Sequence, residues 1–170
     1  VTAAAVTIDA MRAADLDAVV AIEASSAPHG AVGAPASRIP EELSRAWSRV
    51  WVAREADGSV RGFLLAWHVA DEVHVLDVVT HLAFRRRGVG RSLVAHAIAF
   101  AVSSAARIVL LEVRRSNAAA IGLYRSAGFY AVRIRRDYYP DHEDAIEMLL
   151  ALDPDTGAVI LHDDEVRLDR

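Results

Sequence analysis

The segment RRRGVGRS, Arg85 to Ser92, sets four arginines around two glycines where a strand pattern gives way to a helical one. The first turn of a helix leaves backbone N–H groups without partners inside the helix, and the macrodipole adds about half a positive charge there. Gly88 and Gly90 would let a phosphate reach the backbone of Val89 and its neighbours with no Cβ in the way. Arg85, Arg86, Arg87 and Arg91 would add charge-assisted hydrogen bonds. A diphosphate suits this chemistry, and an ordinary basic surface turn is the alternative. The spacing is neither GxGxxG nor a Gly-Lys-Ser loop, so a dinucleotide fingerprint and a nucleotide-hydrolase loop are both unsupported.

Two further residues have the right types for proton transfer. Glu112 is an isolated carboxylate inside the apolar run IVLLEV, Ile108 to Val113, where burial would make it a stronger proton acceptor. A buried glutamate paired with an arginine such as Arg114 is the structural alternative. Tyr124 falls on one face of a helix that begins near Asn117; its hydroxyl is a candidate proton donor, and packing of the helix on a sheet is the competing explanation. Asn117 suits either a polar cleft or the N-cap of that helix. The seven histidines, at positions 29, 68, 74, 81, 96, 142 and 162, have no metal-ligand spacing, so no metal is expected. With no cysteine and no GxSxG elbow, thiol and serine nucleophiles drop out.

These residues are carried by alternating strand and helix patterns of one α/β or α+β unit. Val6 to Met11 reads as a strand and Asp15 to Ser25 as a helix, with Asp15 as N-cap and Leu16, Val19, Val20 and Ile22 on one face. Ala27 to Ile39 has prolines and glycines without a period and reads as a mobile loop before a short helix from Pro40 to Arg49. Val50 to Arg54, Arg61 to Val69 and Val73 to Thr80 form an antiparallel meander. A helix over Gly88 to Ala105 follows, then Ile108 to Val113 as a central strand buried on both sides. A helix from Asn117 to Ala127 and strands over Phe129 to Arg136 and Ala145 to Leu152 complete the sheet.

The chain has 170 residues, 54% hydrophobic and 25% charged, which suits one globular domain that buries roughly 70% of its unfolded surface. The last 18 residues hold six acids against two arginines, leaving residues 1–152 balanced at 17 of each sign. Broad nucleic-acid binding is therefore not expected. No apolar run reaches the ~18 residues of a membrane span, and no secretory signal is visible, so a cytoplasmic location is expected. The domain should occupy residues 1–152, with residues 153–170 as an acidic, loosely docked or disordered tail.

Together with the basic turn, LEVRRSNAAAIGLYRSAGF from Leu111 to Phe129 and RIRRDYYPDHEDAIEM from Arg133 to Met148 resemble the GCN5-related N-acetyltransferase superfamily. Within it the bacterial ribosomal-protein-alanine N-acetyltransferases are most similar. The resemblance covers about Asp71 to Leu150. It implies an α/β fold with a mixed, mostly antiparallel sheet of about seven strands, splayed between the fourth and fifth, and about four helices. It implies acetyl-coenzyme A as cosubstrate, its pyrophosphate on Arg85 to Ser92 and its pantetheine arm paired with the backbone of Val78, Val79 and Thr80, with Asn117 hydrogen-bonding in the same cleft.

Glu112 and Tyr124 fall where those enzymes carry a general base and a general acid, and a backbone N–H near Val79 or Thr80 would polarise the thioester carbonyl. A phenol is the implied proton donor to the departing thiolate, and an α-amine at ~7.7–8.0 needs a milder base than a lysine at ~10.4. Glu23, Tyr138 and Tyr139 are the implied acceptor contacts. The expected acceptor is a protein N-terminus, the N-terminal alanine of a small-subunit ribosomal protein, and the expected state a monomer or weak homodimer without membrane or nucleic-acid partners. SSAPHGAVGAPASRI stands where the family carries an aromatic-Pro-Trp segment, so the resemblance bears on the donor more than on the acceptor. A small-molecule amine or aminoacyl-tRNA is the alternative acceptor, and a non-catalytic acetyl-coenzyme A sensor or interaction module the alternative class.

Overall fold

The computed structural model describes residues 6–26 and 38–168. The chain divides into two compact units, Val1–Trp67 with Asp77–His96, and His68–Leu76 with Ala97–Arg170. The strands Val60–Val69 and Glu72–Thr80 and the helix Val89–Ser103 contribute to both.

In the first unit, β1 (Thr7–Ala10), β2 (Ser48–Arg54) and β3 (Val60–Val69) make an antiparallel meander, with Thr7 opposite Arg54 and Val52 opposite Phe63. α1 (Leu16–Ser26) buries Val19 and Ile22. The four-residue α2 (Ile39–Glu42) buries Ile39, and α3 (Val89–Ser103) buries Val89, Leu93 and Val94 from its first turns. Phe63, Leu64 and Leu65 are wholly buried, each contributing about 1.5–3 kcal/mol through area removed from water. β4 (Glu72–Thr80) completes this unit with its second half.

In the second unit, β5 (Ile108–Arg114) pairs antiparallel with β7 (Ala145–Leu152), which pairs in turn with β6 (Tyr130–Arg135) and the two-residue β8 (Val159–Ile160). α4 (Ala118–Ser126) connects β5 to β6. The strand order is β1-β2-β3-β4-β5-β7-β6, with β8 on β7. The β4–β5 pair is parallel and runs from Glu72 opposite Ile108 to Val75 opposite Leu111. β4 continues to Thr80 and β5 to Arg114 beyond the residues so paired.

Several expectations need correction. The strand buried on both faces is β3, from Gly62 to Ala66, whereas β5 alternates: Val109, Leu111 and Val113 are buried and Glu112 and Arg114 half-exposed. Asp15 is not an N-cap but a buried carboxylate that accepts from Arg12 N–H at 2.8 Å and from two Arg54 nitrogens at 3.0 and 2.9 Å. The helix expected from Pro40 to Arg49 stops at Glu42, because Leu43–Trp47 turn and β2 already starts at Ser48. Of the loop Ala27 to Ile39, all but Arg38 and Ile39 lies outside the described residues. The strands number eight among the described residues rather than about seven, the extra one lying in the tail.

That tail is docked rather than loose. Asp153 caps a turn through Thr156, His162 stacks on Tyr130, and the Glu165 N–H donates to Ala131 O at 2.8 Å. Asp164 pairs with Arg125 and accepts from Ala131 N–H. Of its acids, Asp164 answers groups on α4 and β6, which composition alone does not reveal. No helix among the described residues is long and apolar enough to cross a membrane.

Candidate functional site

The first unit carries the basic turn. Leu82–Phe84 make a short 3-10 turn, and the chain then passes through positive φ twice, at Arg86 (63°) and Gly88 (88°), before α3 starts at Val89. Only glycine takes the second value without strain, and a Cβ at Gly88 would meet nothing within 4 Å. Arg85, Arg86, Arg87 and Arg91 are exposed, while Val89 is buried and pins the helix. The Ser92 N–H and hydroxyl both donate to Gly88 O, at 3.0 and 3.3 Å. Arg61 and Arg87 stack over Phe84, 4.2 and 5.1 Å from its centroid. An open glycine, a long helix starting beside it and exposed guanidinium groups fit the diphosphate of coenzyme A.

Val78, Val79 and Thr80 end β4 half-buried. Their placement depends on Gly62 of β3: a Cβ there would stand 2.7 Å from Val79 O and 3.0 Å from Val89 Cγ1. The missing side chain thus lets β3, β4 and the start of α3 come together. Glu23 on α1 is half-buried, and its charge acts on Arg38 and Asp77, which bond each other at 2.7 Å. Burial pushes the Asp77 carboxyl up and Arg38 opposes it. Glu42, almost wholly buried, accepts from Trp67 Nε1 at 2.7 Å and from Arg45 at 2.8 Å. Glu23 stands out in the sequence by resemblance, whereas Arg38 and Asp77 do not: their one signal is an acid inside the β4 pattern.

The second unit gathers Glu112, Tyr138 and Tyr139 around two arginines. Glu112 accepts from the Tyr138 hydroxyl at 2.8 Å and pairs with Arg135, not Arg114, at 3.1 Å. It is therefore neither isolated nor deeply buried; its side chain is 29% exposed. The hydrogen bond to Glu112, then burial, holds the Tyr138 phenol above its ordinary range. Arg114 turns instead to Asp141 and Glu143, at 2.8 and 2.6 Å, and lies 4.0 Å from the ring centroid of Tyr139. Burial pushes the Tyr139 phenol up to about 12 although Arg114 opposes it. Hydrogen bonds from Ser116, with help from Arg114, lower Glu143 to about 2. These bonds clamp the Tyr138–Glu143 loop onto the end of β5.

Asn117 caps α4, its Oδ1 accepting from Ala120 N–H at 3.1 Å. That uses the carbonyl oxygen and leaves the amide nitrogen as a distinct donor on an exposed side chain. Tyr124, on α4, is buried and tilts against Phe129 with centroids 5.8 Å apart. No group of metal-ligating side chains occurs among the described residues.

Residues 16–129 match the family described as the Acetyltransferase (GNAT) family. A [ribosomal protein bS18]-alanine N-acetyltransferase of Salmonella typhimurium is 43% identical over 100 residues, covering 57% of this chain and 68% of that one. An N-alpha-acetyltransferase of Sulfurisphaera tokodaii is 31% identical over 154 residues, covering 83% and 90%. Among solved structures, the ribosomal-protein-S18-alanine N-acetyltransferase of Escherichia coli superimposes with a TM-score of 0.75 at 30% identity, covering 94% of this chain and 97% of the other.

Proposed function

The chain is an acetyltransferase of the GNAT family, and on that premise we propose that it moves acetyl from acetyl-coenzyme A to the α-amine of a protein N-terminus, the N-terminal alanine of a small-subunit ribosomal protein. The observation that carries this reading is Glu112: a half-exposed carboxylate at the end of β5, fixed by the Tyr138 hydroxyl and Arg135, in a chain similar to enzymes named for that acceptor. Residues 1–152 act as the catalytic domain and 153–170 as its acidic tail.

Bound acetyl-coenzyme A supplies an acetyl group activated as a thioester. Arg85 to Ser92 hold its diphosphate through backbone N–H groups and guanidinium charge, Val78 to Thr80 offer backbone groups to the pantetheine arm, and Asn117 adds its amide donor. Glu112 takes the proton that the acceptor ammonium must lose before its nitrogen can attack. As the C–N bond forms and the C–S bond breaks, Tyr124 gives its phenolic proton to the sulfur; the second nitrogen proton leaves to solvent, and the Tyr124 phenolate is reprotonated from solvent, so that the amide and the free thiol are both neutral. Tyr138, Tyr139 and Glu23 contact the acceptor. A carboxylate suffices as the base because an α-amine sheds its proton near 7.7–8.0, roughly two units or more below a lysine side chain.

The test is release of free thiol from acetyl-coenzyme A with an Ala-initiated peptide, the same peptide with its α-amine blocked, and small polyamines. The reading requires turnover with the free peptide and none with the blocked one. Turnover with polyamines alone would transfer the chemistry to a small-molecule acceptor.

A further inference from the structure

The register of β5 and β7 sets Glu112 directly opposite Glu147. Two carboxylates opposed across an antiparallel pair repel, and each in its ionised form makes the other hold a proton more tightly. Arg135 of β6 bonds both: Nη1 lies 3.1 Å from Glu112 Oε1 and Nε lies 2.9 Å from Glu147 Oε2. One planar guanidinium thus divides its fork between two acids, a geometry that a lysine ammonium does not reproduce. Arg133 of β6 is the register partner of Glu147 on its other side and is exposed, and two phenols face Glu112. Tyr138 donates to Glu112 Oε2, the oxygen Arg135 leaves, and Tyr139 lies within electrostatic range. Arg114, two residues along β5, is turned to Asp141 and Glu143 instead.

We propose that Arg135 is a positioning residue for the transfer reaction: by spanning Glu112 and Glu147 it offsets the repulsion between the two opposed carboxylates and fixes the orientation of Glu112, so that its carboxylate faces the amine proton it is to accept. Glu147 is the opposing charge that makes this bridge necessary. The inference rests on the reading of Glu112 as the base.

Without Arg135, the two acids share their site with one proton retained to higher pH, and a protonated Glu112 cannot act as a base. The decisive measurement is a 13C-carboxyl NMR titration of Glu112 in the parent chain, R135Q, E147Q and R135Q/E147Q, with the pH dependence of kcat/KM beside it. In R135Q the Glu112 midpoint should rise by about one pH unit. On the acidic limb kcat/KM should fall about ten-fold, with the loss shrinking as pH rises through the limb. In E147Q the midpoint should move down, and in the double variant it should return toward the parent. E147Q reads the same balance from the other side if R135Q does not fold. A Glu112 midpoint that stays put in both single variants, or a loss equal at every pH, overturns the proposal. E112Q turning over at the parent rate would sink the reading of Glu112 itself, and the carboxyl titrations do not depend on that result.

Discussion

The basic turn of the first unit and the carboxylate network of the second are built in opposite ways. The turn is contiguous, Arg85 to Ser92, and what it offers is backbone: positive φ at Gly88, the first N–H groups of α3, and arginines that stay in solvent. The network takes Glu112 from β5, Arg135 from β6, Tyr138 from a loop and Glu147 from β7, and what it offers is side-chain charge held by side-chain bonds. Changes at the turn should therefore act through conformation and appear in donor binding. Changes in the network should act through charge and appear in turnover and pH dependence.

The largest separation of the two should come from E112Q. It removes the carboxylate proposed as proton acceptor and leaves the turn untouched, so kcat should fall about 100-fold or more with the Kd for acetyl-coenzyme A unchanged. Rapid-quench turnover beside calorimetry of donor binding reads both. The mirror-image experiment is G88A. Its Cβ would meet nothing, so the cost comes from φ alone, about 1–2 kcal/mol, or roughly a ten-fold weaker Kd with kcat kept at saturating donor. A fall in kcat at saturation would show that the turn contributes to chemistry as well as binding.

Smaller effects sharpen the contrast. G62A forces a methyl to within 2.7 Å of Val79 O, so β4 must shift. The expected outcome is a lower Tm, corresponding to about 1–3 kcal/mol, with weaker donor binding in parallel. An unchanged Tm would mean that the backbones there yield freely. The smallest effect concerns stability alone. Glu143 is lowered from 4.5 to about 2, so its ionised form stabilises the fold fully above pH 4.5 and that contribution fades as pH falls toward 2. E143Q should be less stable than the parent at pH 7, and the two should converge through that acid window in denaturant titrations. A difference constant down to pH 2 would assign the effect to packing.

The contrast also explains what was legible in the sequence. Gly88, Gly90 and the arginines announce the turn because residue type, order and a following helical period are all local. The β2–β3 pair and both later helices were legible for the same reason, whereas the pairing of β1 with β2 was not. Glu112 stood out as an acid in an apolar run, but its partner did not. Arg114 is nearer in sequence, and only the register of β7 against both β5 and β6, with a bulge between Ala131 and Arg133, brings Arg135 to it. The usable signal was a second acid in an apolar strand, Glu147 in AIEML: two outward acids on paired strands need a common cation. Asp15 misled because an acid at a helix start usually caps it, whereas here Arg54, 39 residues away, claims the carboxylate.

The decisive measurement is a crystal structure of this chain with a coenzyme A–peptide bisubstrate that begins with alanine. The diphosphate should lie against the backbone N–H groups that follow Gly88, and the peptide nitrogen within hydrogen-bond reach of Glu112, directly or through one water. A diphosphate lodged away from Arg85 to Ser92, or a peptide nitrogen facing neither Glu112 nor a water it holds, would contradict the proposed function.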